Sequence, residues 1–533
     1  MATNLDLEIL ESQSQDYSKY SSFSVDHGHD SSEQLAPRFE DRLINEGIPV
    51  AQHLPTWLRY GERAFWILMP SFLHPSPTKV APKPLHPSAW LDGLRGISAL
   101  FVVCHHWSLV VMPANMRRGF MTDDYPMFLQ LPIIRLTVTG FSAVCVFFVI
   151  SGYALSYKPA KLTAQTKNVD FLTTVASSVF RRYLRLFLPT MATTLVVACL
   201  AYFRLFEVAP VPNQAVVWAR PPVLDTFFDQ MKNWWLQFGS LSDPLSNDII
   251  RGGRFTYDPV LWTIPVEYDG SMLVFLTQIA FYRLRPRIRI FFNILIVAYA
   301  IHFRYWPYFL FLSGLCIATL HFHAQAKDDA HEPASLMLPF TSTTLTPGSF
   351  RSSFFLPVAP GKNDVRNKAI QIASFLGALW LLSYPEATAA IAPGYRTIFT
   401  LTPASYGVED HHFWIPIAAV WLVFTVDKSP VIQPLFTNRY IQYLGRISYS
   451  IYIVHFSMIW LYGIHLIRLF ALVTGSTFEA NSASVSWAVS AILATIFFLP
   501  VTICLADFVQ RYVDVQSVRV SAWLESRVVS RTR

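Results

Sequence analysis

The chain has 533 residues, of which 53% are hydrophobic, 15% aromatic and only 14% charged. Soluble domains carry about 25% charged residues, so this composition, with its repeated apolar runs near span length, excludes an ordinary soluble domain and reads as a polytopic membrane protein. The net charge of +7 matters less than its distribution between loops.

Residues 1–88 open polar, with Ser-, Gln- and His-containing runs, and read as a disordered cytosolic tail. An apolar stretch at 64–73, too short to span, reads as an interfacial helix. There is no basic flank followed by an apolar core, so no cleavable signal peptide is expected. A membrane domain is expected over 89–508, all-α, with about ten spans at 90–112, 134–156, 184–206, 263–283, 288–303, 305–320, 368–385, 412–427, 447–467 and 485–507. The fifth and sixth meet at a tight turn at Arg304. Alternate loops are basic, carrying Lys158, Lys161 and Lys167, then Arg285 and Arg287, then Lys428, Arg439 and Arg446. The intervening loop 386–411 has only Arg396 against Glu386, Glu409 and Asp410. Loop basicity therefore places both termini in the cytosol, with 509–533 as a cytosolic tail.

Two loops are long. Residues 207–262 hold an aromatic amphipathic stretch at 227–235, suited to lying on the outer surface or capping a cavity. Residues 321–367, rich in Ser, Thr and Pro, read as a flexible cytosolic connection. The five cysteines each fall within an apolar run, without metal-ligand spacing, and read as packing residues.

Ionisable groups inside spans are expensive and are functional candidates by default. The first span carries Asp92, Arg95, His105 and His106. Arg95 and His106 are eleven residues apart, an angular offset of roughly 20° and an axial separation of about 16 Å. They share one face, with Asp92 a turn before Arg95 and able to aim it, whereas His105 points about 100° away. A cation near one membrane surface and an imidazole deep inside suit a long substrate with an anionic head and a reactive end.

Four further clusters stand out. The second span ends in Ser151, Gly152 and Tyr153, where small residues permit close helix approach; Ser151 is readable as a packing residue, a hydrogen-bonding group or a nucleophile. Arg182 and Arg185 share a face at the start of the third span, either as a positive-inside anchor or as a planar-fork phosphate site. Glu267 and Asp269 stand at the outer end of the fourth span, where Glu267 is a candidate to orient an imidazole or bind a hydroxyl. His455 lies mid-span in the ninth, as a satisfied core histidine or a site residue.

The stretches LDGLRGISALFVVCHH, FFVISGYALS, RRYLRLFLP, LWTIPVE and LGRISYSIYIVHF, in that order over 91–456, resemble the acyltransferase 3 family of integral membrane acyltransferases. The long N-terminal and internal insertions are similar to those of its fungal members. The chain departs from the family pattern at Tyr512–Val515, where a Glu-Lys-Pro-like ending is common.

The resemblance implies that the histidine eleven residues after the arginine, His106, is catalytic, and that Arg95, Arg182 and Arg185 serve the acyl donor. The expected reaction takes an acyl group, acetyl by family resemblance, from acyl-CoA as co-substrate to a hydroxyl of a small molecule such as a secondary metabolite. His106 acts as general base, Glu267 orients, and Ser151, Tyr153 or His455 contacts the substrate or its oxyanion. No permanently bound cofactor, metal or nucleic acid is expected. The endoplasmic reticulum or another endomembrane is the expected location. The rival readings are acylation of a lipid or glycan, and a secondary transporter without acyl transfer.

Overall fold

The computed structural model describes residues 69–73, 85–122, 126–246, 255–331, 362–481 and 483–529. The tail, most of the interfacial stretch at 64–73 and most of the 321–367 connection lie outside the described residues. Among the described residues the protein is all-helical, without a strand.

Thirteen helices carry the fold: α1 (Ala89–Val111), α2 (Gly140–Ala164), α3 (Asn168–Tyr202), α4 (Phe227–Ser242), α5 (Thr263–Phe281), α6 (Pro286–His302), α7 (Trp306–His331), α8 (Lys362–Leu382), α9 (His411–Lys428), α10 (Arg439–Met458), α11 (Ile464–Thr474), α12 (Val485–Val509) and α13 (Val515–Val528). Every stretch read as a span overlaps one of these helices. Among the described residues six segments are long and apolar enough to cross a membrane: α1, α2, α3, the first 21 residues of α7, Arg439–Thr474 and Val485–Val528. The other four fall short for visible reasons. Helix α6 has 17 residues, a rise of about 26 Å. Helix α5 carries Glu267 and Asp269, α8 starts in a charged turn, and α9 begins with His411 and His412 and ends with Asp427 and Lys428. The turn at Arg304 is present, with the backbone there in the left-handed region at φ 63°.

Helix α2 is the centre of the bundle, its side chains buried continuously from Ser142 to Ser156. It lies closest to α7. A Cβ on Gly152 would sit 2.0 Å from the Phe311 carbonyl oxygen, and one on Gly314 would sit 2.2 Å from that of Val149. Backbone contact of this kind replaces the hydrophobic drive that lipid cannot supply.

Helices α1 and α10 run parallel in register. Gln442 donates to the Ala89 carbonyl at 2.7 Å, and a Cβ on Gly96 would lie 2.4 Å from the Gly445 nitrogen. Helix α2 runs antiparallel to α1, with Gly140 against His105 and Tyr153 against Trp90.

The chain between α4 and α5 enters the bundle as irregular backbone, with Phe255, Tyr257 and Asp258 buried. Irregular backbone at membrane depth is tolerated where protein covers it. The C-terminal stretch read as a tail is helical as far as Val528. Helix α12 passes through a π-helical turn at Gln510–Asp514 into α13, which ties back to α3 through Arg181 and Glu525 at 3.0 Å.

Candidate active site

The parallel pairing of α1 and α10 builds a polar ladder down their interface. At one end Arg95 Nε donates to Ser448 Oγ at 2.9 Å and Nη2 to the Gly445 carbonyl at 2.9 Å, with Asp92 at 3.1 Å. One turn on, the Tyr449 hydroxyl donates to the Leu186 carbonyl on α3 at 2.6 Å. Another turn on, the Tyr452 hydroxyl and Thr263 on α5 are 2.5 Å apart. At the far end His455 Nε2 lies 3.1 Å from His106 Nδ1. The shared face of Arg95 and His106 is thus realised as the face toward α10, while His105 turns to α2 and reaches the Val138 carbonyl at 2.7 Å.

Carbonyl groups fix the protons of the histidine pair. His455 Nδ1 lies 2.7 Å from the Tyr452 carbonyl. A carbonyl only accepts, so this nitrogen carries the hydrogen and His455 Nε2 is left as an acceptor. His106 Nδ1 faces that acceptor and the Val102 carbonyl at 2.9 Å, so it too carries a hydrogen. His106 Nε2 is then the unprotonated nitrogen, with no hydrogen-bond partner among the described residues. Fixing the tautomer through the other ring nitrogen is how proteins prepare an imidazole for chemistry.

The wall around the His106 ring is aromatic. The Trp218 ring lies 5.6 Å from that of His106 and 5.4 Å from that of Phe456. Trp218 comes from the segment after α3, which is held against the end of α1 by bonds from Ala215 and Val216 to the Met112 and Leu109 carbonyls. Sequence reading missed it, because a single tryptophan in a loop has no periodic signal. It also missed Glu386, which ion-pairs with Arg117 at 3.0 Å and faces His105 electrostatically. Burial raises the Glu386 carboxyl's pKa, but the nearby His105, Arg117 and Arg135 outweigh it and hold the group below its usual range.

Several expected site residues stand elsewhere. Glu267, expected to orient the imidazole or the acceptor, pairs with Arg182 at 2.5 Å, while Arg182 Nε donates to Ser271 at 2.8 Å. Both side chains are almost fully buried, and Thr263, one turn before Glu267, meets Tyr452 midway along α10, so α5 begins inside the bundle. The position that Glu267 was expected to fill beside the imidazole is taken by His455. Ser151 and Tyr153 lie eleven and thirteen residues along α2 from Gly140 at the His105 level, a rise of about 17 to 20 Å. The Tyr153 hydroxyl donates to Asp427 at 2.7 Å, which also holds His321 at 2.9 Å. That places both residues at the Arg95 end, out of reach of an oxyanion near His106. Arg185 is half-buried one turn beyond Arg182.

Fold and site together define a multi-pass helical membrane protein with an oriented histidine pair inside its bundle. The chain belongs to the family whose profile, described as an acyltransferase domain, matches residues 88–509, and it is an acyltransferase. It is 36% identical over 476 residues to the O-acetyltransferase PaAT-1 of Phomopsis amygdali, covering 87% of this chain and 89% of that one. Acyltransferase R4 of a Phoma species is 25% identical over 427 residues, covering 72% of this chain and 85% of that one. Acyltransferase clz18 of Cochliobolus lunatus is 25% identical over 473 residues, covering 81% and 94%. No solved structure matches the chain significantly.

Proposed function

We propose that this protein is a membrane-bound O-acyltransferase that moves an acetyl or similar acyl group from acyl-CoA to a hydroxyl of a small apolar molecule, of the kind met in secondary metabolism. The observation that carries the reading is the unpartnered His106 Nε2 beside an aromatic wall, with its tautomer set from behind by His455 and Val102. His106 Nε2 takes the proton of the acceptor hydroxyl as its oxygen attacks the thioester carbonyl. Collapse of the tetrahedral intermediate breaks the carbon–sulfur bond, and the departing CoA sulfur takes the proton from the imidazolium. His455 Nε2 accepts from His106 Nδ1–H throughout, a bond that strengthens when the ring becomes charged.

The anionic end of the donor is assigned to the arginine-rich level of Arg95, Arg182 and Arg185. There Arg95 and Arg182 act through their field while protein partners hold them in place. Trp218 and Phe456 flank the acceptor. The ten helical segments alternate as about ten spans, with both termini cytosolic, in the endoplasmic reticulum or another endomembrane.

The test compares membranes carrying wild type or His106→Ala, supplied with acetyl-CoA and an extract of hydroxylated metabolites, with products followed by mass spectrometry. The expected result is a product heavier by one acetyl group in wild type alone. A well-folded His106→Ala protein that forms the same product at the same rate would sink the scheme.

A further inference from the structure

At the Arg95 end of the bundle, on its opposite side from α10, a cavity of about 330 Å³ opens between α2, α3, α5, α6 and α7. It is far from the histidine pair: Pro159 on its wall is nineteen residues along α2 from Gly140, a rise of about 29 Å. Three buried polar atoms on its lining residues have no partner among the described residues: Gln278 Oε1, Asn293 Oδ1 and Arg289 Nε. Gln278 and Asn293 are only 7% and 2% exposed, so neither oxygen has ready access to bulk water. The Gln278 amide is not free to rotate, because its nitrogen donates to Ser156 at 2.9 Å and toward the Leu155 carbonyl. Its orphaned atom is therefore an acceptor. Burying such groups unpaired costs about 1–3 kcal/mol each, and the cavity is about ten times the volume of one water molecule.

The surroundings identify the occupant. Arg283, Arg285, Arg287 and Arg289 are packed into seven residues at the α5–α6 junction, and Arg283 and Arg289 line the cavity. Beside it the outer faces of α5 and α6 are bare and apolar, with Leu276 at 65% and Phe291 at 62% exposure. A basic pocket between membrane helices, with an apolar surface next to it, fits an anionic headgroup whose acyl chains lie along that surface. The two orphaned oxygens additionally require donors on the headgroup.

We propose that this cavity binds the headgroup of a phosphorylated polyol lipid of the phosphatidylinositol type. Its phosphate meets Arg289 and Arg283, and its hydroxyls donate to Gln278 and Asn293. The site is independent of the acyl-transfer reading, since it uses none of the same side chains.

The test is native mass spectrometry of the full-length protein in a neutral detergent, with phosphatidylinositol or phosphatidylcholine of matched chains. Inositol 1-phosphate and acetyl-CoA are added as soluble competitors. Phosphatidylinositol is expected to bind about tenfold more tightly than phosphatidylcholine, the worth of the two neutral hydroxyl–amide bonds that choline cannot make. Arg289→Ala and Asn293→Leu should each remove most of that preference, and neither competitor should displace the lipid. Equal retention of the two lipids would show no headgroup selection by the cavity, and a preference unchanged in both variants would place lipid binding elsewhere; either overturns the proposal. Displacement by inositol 1-phosphate or by acetyl-CoA would reassign it to a soluble phosphate or to the acyl donor and overturn the lipid proposal.

Discussion

The two ends of the α1–α10 interface carry similar chemistry to opposite effect. At the Arg95 end the guanidinium is held by Gly445, Ser448 and Asp92, and two glycines bring the backbones into contact around it. At the His106 end one ring nitrogen is satisfied from behind and the other faces an aromatic wall without a partner. An ionisable residue in a span therefore serves either as glue or as a reagent. The bookkeeping of its hydrogen bonds separates the two where its charge alone does not.

That contrast is open to being broken. The largest expected effect is on His106→Ala, which should lower turnover by about 10²- to 10⁴-fold, the usual range for removing a general base. The variant should still purify as a monodisperse protein, although the buried His455 Nε2 loses its donor, at about 1–3 kcal/mol. Arg95→Ala should do the reverse. It breaks the buried ion pair with Asp92 at 3.1 Å and the bonds to Gly445 and Ser448, a loss of about 3–5 kcal/mol. The measurement is the yield of monodisperse protein from membranes and its melting temperature. If Arg95→Ala folds normally and only the KM for acyl-CoA rises, Arg95 is a direct donor contact and the contrast fails.

Gly445→Ala sits one step lower. The added methyl would lie 2.4 Å from the Asp92 carbonyl oxygen, forcing the helices apart at about 1–3 kcal/mol. Its melting temperature should fall, with the activity of the surviving fraction near wild type.

The parts of this contrast that periodicity governs were legible in the sequence. Eleven residues close to within a fraction of a turn on any helix, so Arg95 and His106 had to share a face and His105 had to leave it. The helix positions followed from apolar runs in the same way, and so did the turn at Arg304. What periodicity cannot supply is depth between elements. Glu267 was placed at the outer end of a span because α5 begins there in sequence. The segment around Tyr257 and Asp258 enters the bundle first, so α5 starts deep and Glu267 meets Arg182. The level of Ser151 and Tyr153 follows from the alternation of spans: α2 returns antiparallel, so its last turns lie beside the first turns of α1. Helix α13 was hidden by its polar composition, and Trp218 by standing in a loop.

His455 tests whether the pair acts as a unit. In His455→Ala the imidazolium formed at His106 loses a charge-assisted acceptor, worth about 1.5–3 kcal/mol, or about 10- to 100-fold in rate. The loss should fall on kcat and leave the KM for acyl-CoA unchanged, and His455→Gln, which keeps an acceptor, should recover part of it. A purely structural role would instead lower the melting temperature and leave the activity of the folded fraction intact.

The smallest effect belongs to Trp218, and it bears on what the site accepts. Its ring is half-exposed and touches both His106 and Phe456. Trp218→Ala removes one face of the wall while leaving the tautomers of the pair untouched, because no carbonyl that fixes them comes from its loop. An aromatic contact of this kind is worth about 0.5–1.5 kcal/mol beyond its buried area. The KM for an apolar acceptor should therefore rise several-fold with kcat nearly constant, and Trp218→Phe should restore most of it. A fall in kcat with KM unchanged would mean that the loop positions the base rather than the acceptor. The chemistry at this end of the bundle would then depend on the loop as much as on the α1–α10 pair.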